Sequence, residues 1–108
     1  MKISLVLGSG GARGYAHIGV LQELEERGHE VVAVAGASMG ALVGGAYAAG
    51  RLDELTKMAL GVSKPDLWLM FRPTLNAPGL VRAERVMALL RPVIGDVRIE
   101  DLPIPYTA

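Results

Sequence analysis

The residue types best suited to covalent chemistry occur together in Gly36-Ala37-Ser38-Met39-Gly40, which directly follows an apolar run at 31–35. A serine between two glycines, where a strand turns into a helix, is typical of a nucleophile turn that strains the serine backbone and exposes its hydroxyl. Glycines suit this turn because they have no Cβ to collide with nearby backbone. The pentapeptide predicts acyl transfer at Ser38, although a small-residue turn without chemistry explains the five residues equally well.

A second glycine-rich segment, Gly8-Ser9-Gly10-Gly11-Ala12-Arg13-Gly14, follows an apolar run at 3–7 and precedes a helical pattern. Its N–H groups could bind a phosphate, a pyrophosphate or an oxyanion. A dinucleotide fingerprint requires glycine where Arg13 stands and an acidic residue at the end of the second strand, where Ala35-Gly36 stands. A Walker A loop requires a Gly-Lys-Ser/Thr tripeptide, which the chain lacks. A non-catalytic anion- or nucleotide-binding module is therefore the alternative, and an oxyanion hole is favoured.

As an oxyanion hole, this glycine loop complements Ser38. Backbone N–H groups of Gly10, Gly11 and Ala12 on one side and of Met39 on the other could surround a substrate carbonyl oxygen. Arg13 is a candidate anchor of the loop to a carbonyl or a carboxylate, and an ordinary solvated arginine is the competing interpretation.

The sequence offers no evident general base to activate Ser38. Both histidines, His17 and His29, precede Ser38, whereas an α/β-hydrolase places its acid and its histidine after the nucleophile. We expect His17 to pack or to form a hydrogen bond near the glycine loop, and His29 to be exposed. The acidic residues after Ser38 are expected to be surface carboxylates: Asp53, Glu54, Asp66, Glu84, Asp96, Glu100 and Asp101.

Composition narrows the functional classes. The 108 residues are 51% hydrophobic and carry 11 basic and 11 acidic side chains, which argues against nucleic acid as a partner. The absence of cysteine excludes disulfides, thiol catalysis and cysteine-ligated metals, and it suits the cytoplasm. The apolar run at 3–7 is too short for a signal-peptide core or a membrane span, so any membrane contact is expected to be peripheral.

Periodicity predicts an α/β protein built on a parallel sheet. We predict strands at 3–7 and 31–35, helices at 12–27, 38–49, 51–61 and 82–91, an irregular segment at 64–80 and a strand beginning within 104–108. Because the run at 31–35 is apolar throughout, both faces of that strand are expected to be covered. The third helix is expected to direct Leu52, Leu55 and Leu60 inward. Both glycine turns should face one crevice at the carboxyl ends of neighbouring strands.

Three segments together closely resemble the patatin-like phospholipases, especially the compact bacterial ones: 7–21, 36–41 and 47–50, with a looser match over 68–91. The resemblance implies a three-layer fold around a parallel sheet and a serine acyl hydrolase acting on lipid or simple carboxylic esters. It places the nucleophile at Ser38 and the oxyanion loop at Gly10, Gly11 and Ala12, with Arg13 beside it. It also implies an aspartate in place of a histidine–acid pair, and no metal or organic cofactor.

One family feature is missing from this chain. The aspartate of the family lies in a late Asp-Gly-Gly or Asp-Gly-Ala motif, and this sequence has only Gly95-Asp96, in the reverse order. We therefore expect residues 1–108 to be the amino-terminal portion of a single hydrolase domain, inactive alone. An apolar, aromatic cluster at 67–72 would suit contact with acyl chains or a membrane interface, although an ordinary core segment explains it more simply. The sequence predicts no oligomeric state.

Overall fold

The computed structural model describes residues 1–61 and 91–108. Their framework is a three-stranded parallel sheet in the order β1-β2-β3, with β1 at Lys2–Leu7, β2 at Glu30–Gly36 and β3 at Tyr106–Thr107. The apolar runs that predicted the strands lie within these bounds. The prediction of a parallel α/β fold is confirmed.

The register of the sheet brings the two glycine turns to one edge. Leu5 pairs with Val34 and Leu7 with Gly36, so β1 and β2 end side by side. An irregularity between Ile3 and Ser4 shifts the register once. Because parallel strands end at the same edge of a sheet, the glycine loop after β1 and the turn after β2 begin next to each other.

Helices follow the first two strands. After a 3-10 turn at Gly11–Tyr15 come α1 at Ala16–Glu26, α2 at Met39–Ala48 and α3 at Leu52–Gly61. The glycine-rich start of the predicted first helix thus adopts the tighter 3-10 geometry, which is common at helix N-termini. Gly28 and Gly50, at φ 78° and 74°, end α1 and α2 in the left-handed conformation that glycine adopts most readily. A second 3-10 turn, Ile99–Asp101, precedes β3.

The core lies between one face of the sheet and these helices. Its buried side chains come from β1, β2, α1, α2 and α3: Leu7, Ile18, Leu21, Val31, Val34, Met39, Val43, Ala46, Tyr47, Leu52 and Leu55. Leu21 and Val43 are completely buried. Burial of apolar surface at this single interface stabilises the arrangement of α1 and α2 on the sheet.

The small residues of α2 allow it to approach the sheet closely. A Cβ on Gly44 would lie 2.8 Å from Val34 Cγ1, and a Cβ on Gly45 would lie 3.4 Å from the Tyr106 ring. Two glycines within a helix lower its intrinsic stability by about 1 kcal/mol each relative to alanine. Close packing on β2 and β3 offsets that cost.

The opposite face of the sheet differs from the sequence prediction. Val6 of β1 is 79% exposed and Val32 of β2 is 37% exposed, whereas Ala33 and Ala35 are half-buried, so the expectation that both faces of β2 are covered holds only in part for the described part of the chain. The reason is that α1 and α2 contribute their buried side chains to one cluster, on the face that carries Leu7 and Val34.

A second correction concerns α3. Leu52 and Leu55 are buried as predicted, but Leu60 is 83% exposed. Leu60 follows Leu55 by five residues, which places it about 140° around a helix of 3.6 residues per turn. The predicted irregular segment at 64–80, the cluster at 67–72, the carboxylates of Asp66 and Glu84 and all but the last residue of the predicted helix at 82–91 lie outside the described residues. That last residue, Arg91, is helical.

Candidate active site

Ser38 has an unusual backbone. It lies between β2 and α2 with φ 54° and ψ −123°, and among the described residues no other non-glycine residue has a positive φ. Such a conformation costs of order 1–3 kcal/mol and persists only where the surroundings enforce it. Ser38 is exposed and its hydroxyl does not cap α2, although serine is a preferred capping residue. The hydroxyl is therefore presented to solvent at the start of the helix.

The surroundings that enforce this turn are backbone atoms packed against Gly36 and Gly40. A Cβ on Gly36 would lie 2.5 Å from the Gly40 carbonyl oxygen and 2.7 Å from Ala41 Cα. A Cβ on Gly40 would collide with the carbonyl oxygens of Leu7 and Gly8. Rigid backbone cannot move aside as a flexible side chain can. Both glycines are thus required by packing.

Hydrogen bonds tie the same turn to β1. The Ala37 N–H donates to the Leu7 carbonyl at 3.0 Å, and the Gly40 N–H donates to the Ala37 carbonyl at 3.0 Å. The Ala41 N–H donates to the Ser38 carbonyl at 2.9 Å. Within the described residues, the N–H of Met39 has no backbone acceptor, as is usual in the first turn of a helix. A donor thus lies immediately after Ser38.

The glycine loop supplies a second group of donors. Gly10 has φ 156° and ψ 0°, and its carbonyl accepts the first hydrogen bond of the 3-10 turn, from the Arg13 N–H at 3.1 Å. The N–H groups of Gly11 and Ala12 come before that bond, so the turn itself gives them no partner. The Arg13 side chain is exposed, and the contact that closes the loop comes from its backbone.

Direct contacts join the two glycine turns. Gly14 is buried, and a Cβ there would collide with the side chain of Met39. Gly40 lies against the carbonyl oxygens of Leu7 and Gly8. The structure therefore brings the 3-10 turn that contains Gly11 and Ala12 to the start of α2, as the β-α-β-α pattern predicted.

The histidines take different positions. Nε2 of His17 lies 2.8 Å from the Gly8 carbonyl oxygen, which is the hydrogen bond near the glycine loop that the sequence led us to expect. His29 was expected to be exposed, but it is half-buried. Its Nδ1 atom is buried and has no hydrogen-bond partner among the described residues. His29 lies between Gly28 and β2 and borders a surface pocket that residues of α1 also line.

The described acidic residues after Ser38 are exposed, as predicted: Asp53, Glu54, Asp96, Glu100 and Asp101. Glu54 pairs with Arg51 at 3.4 Å and Glu100 with Arg98 at 3.8 Å, both at the surface. In the parts of the chain that the structure describes, no group of three or more His, Cys, Asp or Glu side chains could hold a metal ion.

Sequence reasoning missed one contact that supports α2. The Tyr106 hydroxyl donates to the Ala41 carbonyl at 2.7 Å, across 65 residues of sequence. Burial raises the pKa of Tyr106 above its usual value of 10.0, so the phenol remains a donor at neutral pH. The sequence signal is the pair Gly44-Gly45, because small residues on a helix leave room for a ring from a neighbouring strand.

Comparison with known proteins identifies the family. The profile of the family described as "Patatin-like phospholipase" matches residues 5–107, so the chain belongs to the patatin-like phospholipase family. The family assignment made from the two glycine turns is confirmed.

Several curated proteins resemble the chain over nearly its whole length. An uncharacterized NTE family protein of Mycobacterium tuberculosis is 52% identical over 107 residues, which are 99% of this chain and 30% of that protein. An uncharacterized NTE family protein of Mycobacterium bovis matches to the same extent. Neuropathy target esterase sws of Drosophila melanogaster is 40% identical over 109 residues, 97% of this chain and 8% of that protein. The chain thus spans less than a third of these relatives.

A helix suited to crossing a bilayer is not found within 1–61 or 91–108. The cytoplasmic location and the peripheral membrane contact remain predictions.

Proposed function

We propose that the protein is a serine acyl hydrolase in which Ser38 attacks the carbonyl carbon of a lipid or simple carboxylic ester. The observation that carries this proposal is the backbone of Ser38, at φ 54° between two glycines that packing requires. Folding has no need for a strained serine whose hydroxyl does not cap the helix that follows it. A strained, exposed nucleophile is what acyl transfer requires.

The reaction proceeds through an acyl-enzyme. Ser38 Oγ forms a bond to the carbonyl carbon while a base removes the hydroxyl proton, and the carbonyl electron pair moves onto oxygen. Collapse of this intermediate expels the alcohol, which takes up the proton, and water then releases the acid by the same steps. We assign stabilisation of the oxyanion to the N–H groups of Gly10, Gly11, Ala12 and Met39. The proximity of the two glycine turns supports this assignment.

We further propose that the base is an aspartate outside these 108 residues. Support comes from the resemblance, which implies a serine–aspartate pair, and from the extent of the match to the mycobacterial relatives, 30% of their length. General-base catalysis is typically worth about 10²–10⁴-fold, so residues 1–108 alone should turn over esters very slowly.

Ester hydrolysis by the complete protein tests the proposal. We expect the wild type to hydrolyse chromogenic esters or phospholipid, and S38A to lower kcat/KM by at least about a thousandfold with folding retained. S38A that keeps wild-type turnover would overturn the assignment of Ser38. Saturable nucleotide binding by a wild type without esterase activity would instead favour the non-catalytic alternative.

A further inference from the structure

The contact between His17 and Gly8 lies next to the candidate site and has no part in the mechanism above. His17 is in the first turn of α1, and its Nε2 atom lies 2.8 Å from the Gly8 carbonyl oxygen. A carbonyl oxygen only accepts hydrogen bonds, so Nε2 must carry the proton. The imidazole therefore joins the start of α1 to the first residue after β1.

The position that a side chain on Gly8 would occupy is open. The residue is exposed, and a Cβ built on it would meet no atom within 4 Å. Glycine also has more backbone freedom than any other residue. The carbonyl oxygen of Gly8 does lie against Gly40, where it would collide with a Cβ. The hydrogen bond from His17 acts on the same carbonyl and adds a directional contact that orients the peptide between Gly8 and Ser9.

The orientation of that peptide determines where the loop leads. The peptide is planar and trans, so fixing the Gly8 carbonyl also fixes the direction in which the chain leaves toward Gly10 and the 3-10 turn. The N–H groups assigned to the oxyanion belong to that part of the loop. Such donors act only when they lie about 2.7–3.1 Å from the oxygen that becomes charged. A shift at Gly8 would therefore misplace them.

We propose that His17 is a positioning residue, which orients the glycine loop for oxyanion binding through its Nε2–H bond to the Gly8 carbonyl. This inference rests on the function proposed above, because it assigns His17 a part in that reaction. His17 acts through Gly8. Because its Nε2 atom donates a hydrogen bond to the Gly8 carbonyl, that atom is not available as a general base.

Two substitutions in the complete protein separate this role from simple packing. In H17Q the amide nitrogen lies three bonds from Cβ, as Nε2 does in histidine, whereas in H17N it lies only two bonds away. We expect H17Q to keep kcat/KM within about threefold of wild type and H17N to lower it by about 10- to 100-fold, mainly in kcat. H29Q, on the remote histidine, serves as the matched control.

A trifluoromethyl ketone gives a readout that a merely structural role would not change. Ser38 adds to its carbonyl to form a hemiketal whose oxygen carries the negative charge, so the inhibitor depends on the oxyanion donors. Its inhibition constant should rise across the variants by the same factor by which kcat/KM falls. Binding of the product alcohol, which carries no such charge, should stay constant.

Equal kcat/KM for H17Q and H17N overturns the inference, whatever value they share, and so does an inhibition constant that does not follow kcat/KM. Failure of the proposed function is distinguishable, since the wild type would then lack ester hydrolysis. In that case, long-range proton–nitrogen NMR of wild-type His17 still tests the contact. The inference requires a proton on Nε2, and a neutral ring protonated only at Nδ1 contradicts it.

Discussion

Two glycine turns at one edge of the sheet each present an exposed serine, and they are held in different ways. Ser38 lies in a turn whose glycines are crowded by backbone, and it alone among the described non-glycine residues has a positive φ. Ser9 lies in a loop that begins with Gly8, which is open around its Cβ position although its carbonyl oxygen lies against Gly40. Packing on both glycines thus fixes the first turn, whereas the start of the second is held by the contact of the Gly8 carbonyl with Gly40 and by a hydrogen bond from α1.

Each turn is also supported by one polar side chain from another element. Tyr106 of β3 bonds the first turn of α2, and His17 of α1 bonds the Gly8 carbonyl. A serine becomes a candidate nucleophile through the conformation imposed on it, because glycine neighbours and exposure alone are common to both sites. Four changes test this difference.

The largest effect is expected from Gly40→Ala. Its Cβ would meet the carbonyl oxygens of Leu7 and Gly8, which cannot move without disturbing β1. We expect a loss of about 3 kcal/mol in the free energy of unfolding, measured by urea denaturation of the complete protein. Gly8→Ala, which meets nothing within 4 Å, is the matched control and should stay within about 0.5 kcal/mol of wild type. If Gly40→Ala and Gly8→Ala lost the same free energy of unfolding, the proposed difference in packing between the two turns would be wrong.

A smaller effect is expected from Gly14→Ala, at the contact between the turns. The obstacle there is the flexible side chain of Met39, which can change rotamer. We expect a loss of about 1–2 kcal/mol. A double-mutant cycle with Met39→Ala checks the cause, because removing the obstacle should make Gly14→Ala less costly. Additive effects would show that the Met39 side chain is not the cause of the loss.

Because the backbone of Ser38 is strained, we expect a glycine at this position to be more stabilising than an alanine. Ser38→Gly relieves the positive φ, whereas Ser38→Ala keeps a Cβ in the strained conformation. After allowance for the greater freedom of glycine in the unfolded chain, the glycine variant should be about 1 kcal/mol more stable than the alanine variant. Thermal and urea unfolding of both measure the difference. An alanine variant as stable as the glycine variant would show that the turn is not strained.

The smallest effect is expected from Tyr106→Phe, which removes the hydrogen bond to Ala41 and leaves the ring. Such a bond is worth about 1 kcal/mol. Burial raises the pKa of Tyr106 in the folded protein, so the unfolded chain loses its phenolic proton first as pH rises. The contribution of this phenol is therefore complete below pH 10.0 and declines above it. Unfolding measured from pH 8 to 11 should show a steeper decline for wild type than for Y106F, and parallel curves would contradict this.

Local signals in the sequence were sufficient for much of the fold. Apolar runs bounded by glycines predicted β1 and β2, and helical spacing predicted α1, α2 and the buried pair Leu52 and Leu55. Leu60 differs from the prediction because its position around α3 lies about 140° from Leu55, which hydrophobicity alone does not indicate. The more open face of the sheet differs from the prediction because an apolar run at 31–35 does not reveal which of its faces the helices cover.

The candidate site likewise combines features that local sequence patterns predict with features that they do not. Residue types and spacing indicated Ser38, its two glycines and the neighbouring loop, since a strained turn restricts which residues fit. The bond between Tyr106 and Ala41 joins residues 65 positions apart, and the exact acceptor of His17 depends on how α1 meets β1. Such contacts are set by tertiary packing, which local patterns do not encode.

Fluorophosphonate labelling of the complete protein tests the central claim most directly. Intact mass would count the adducts and peptide mapping would locate them among Ser4, Ser9, Ser38 and Ser63 of this region, with S38A and S9A as paired variants. We predict one adduct in this region, on Ser38, retained in S9A and lost in S38A. An adduct on Ser9, or none on Ser38 in an enzyme that hydrolyses esters, would contradict the assignment of Ser38 as the nucleophile.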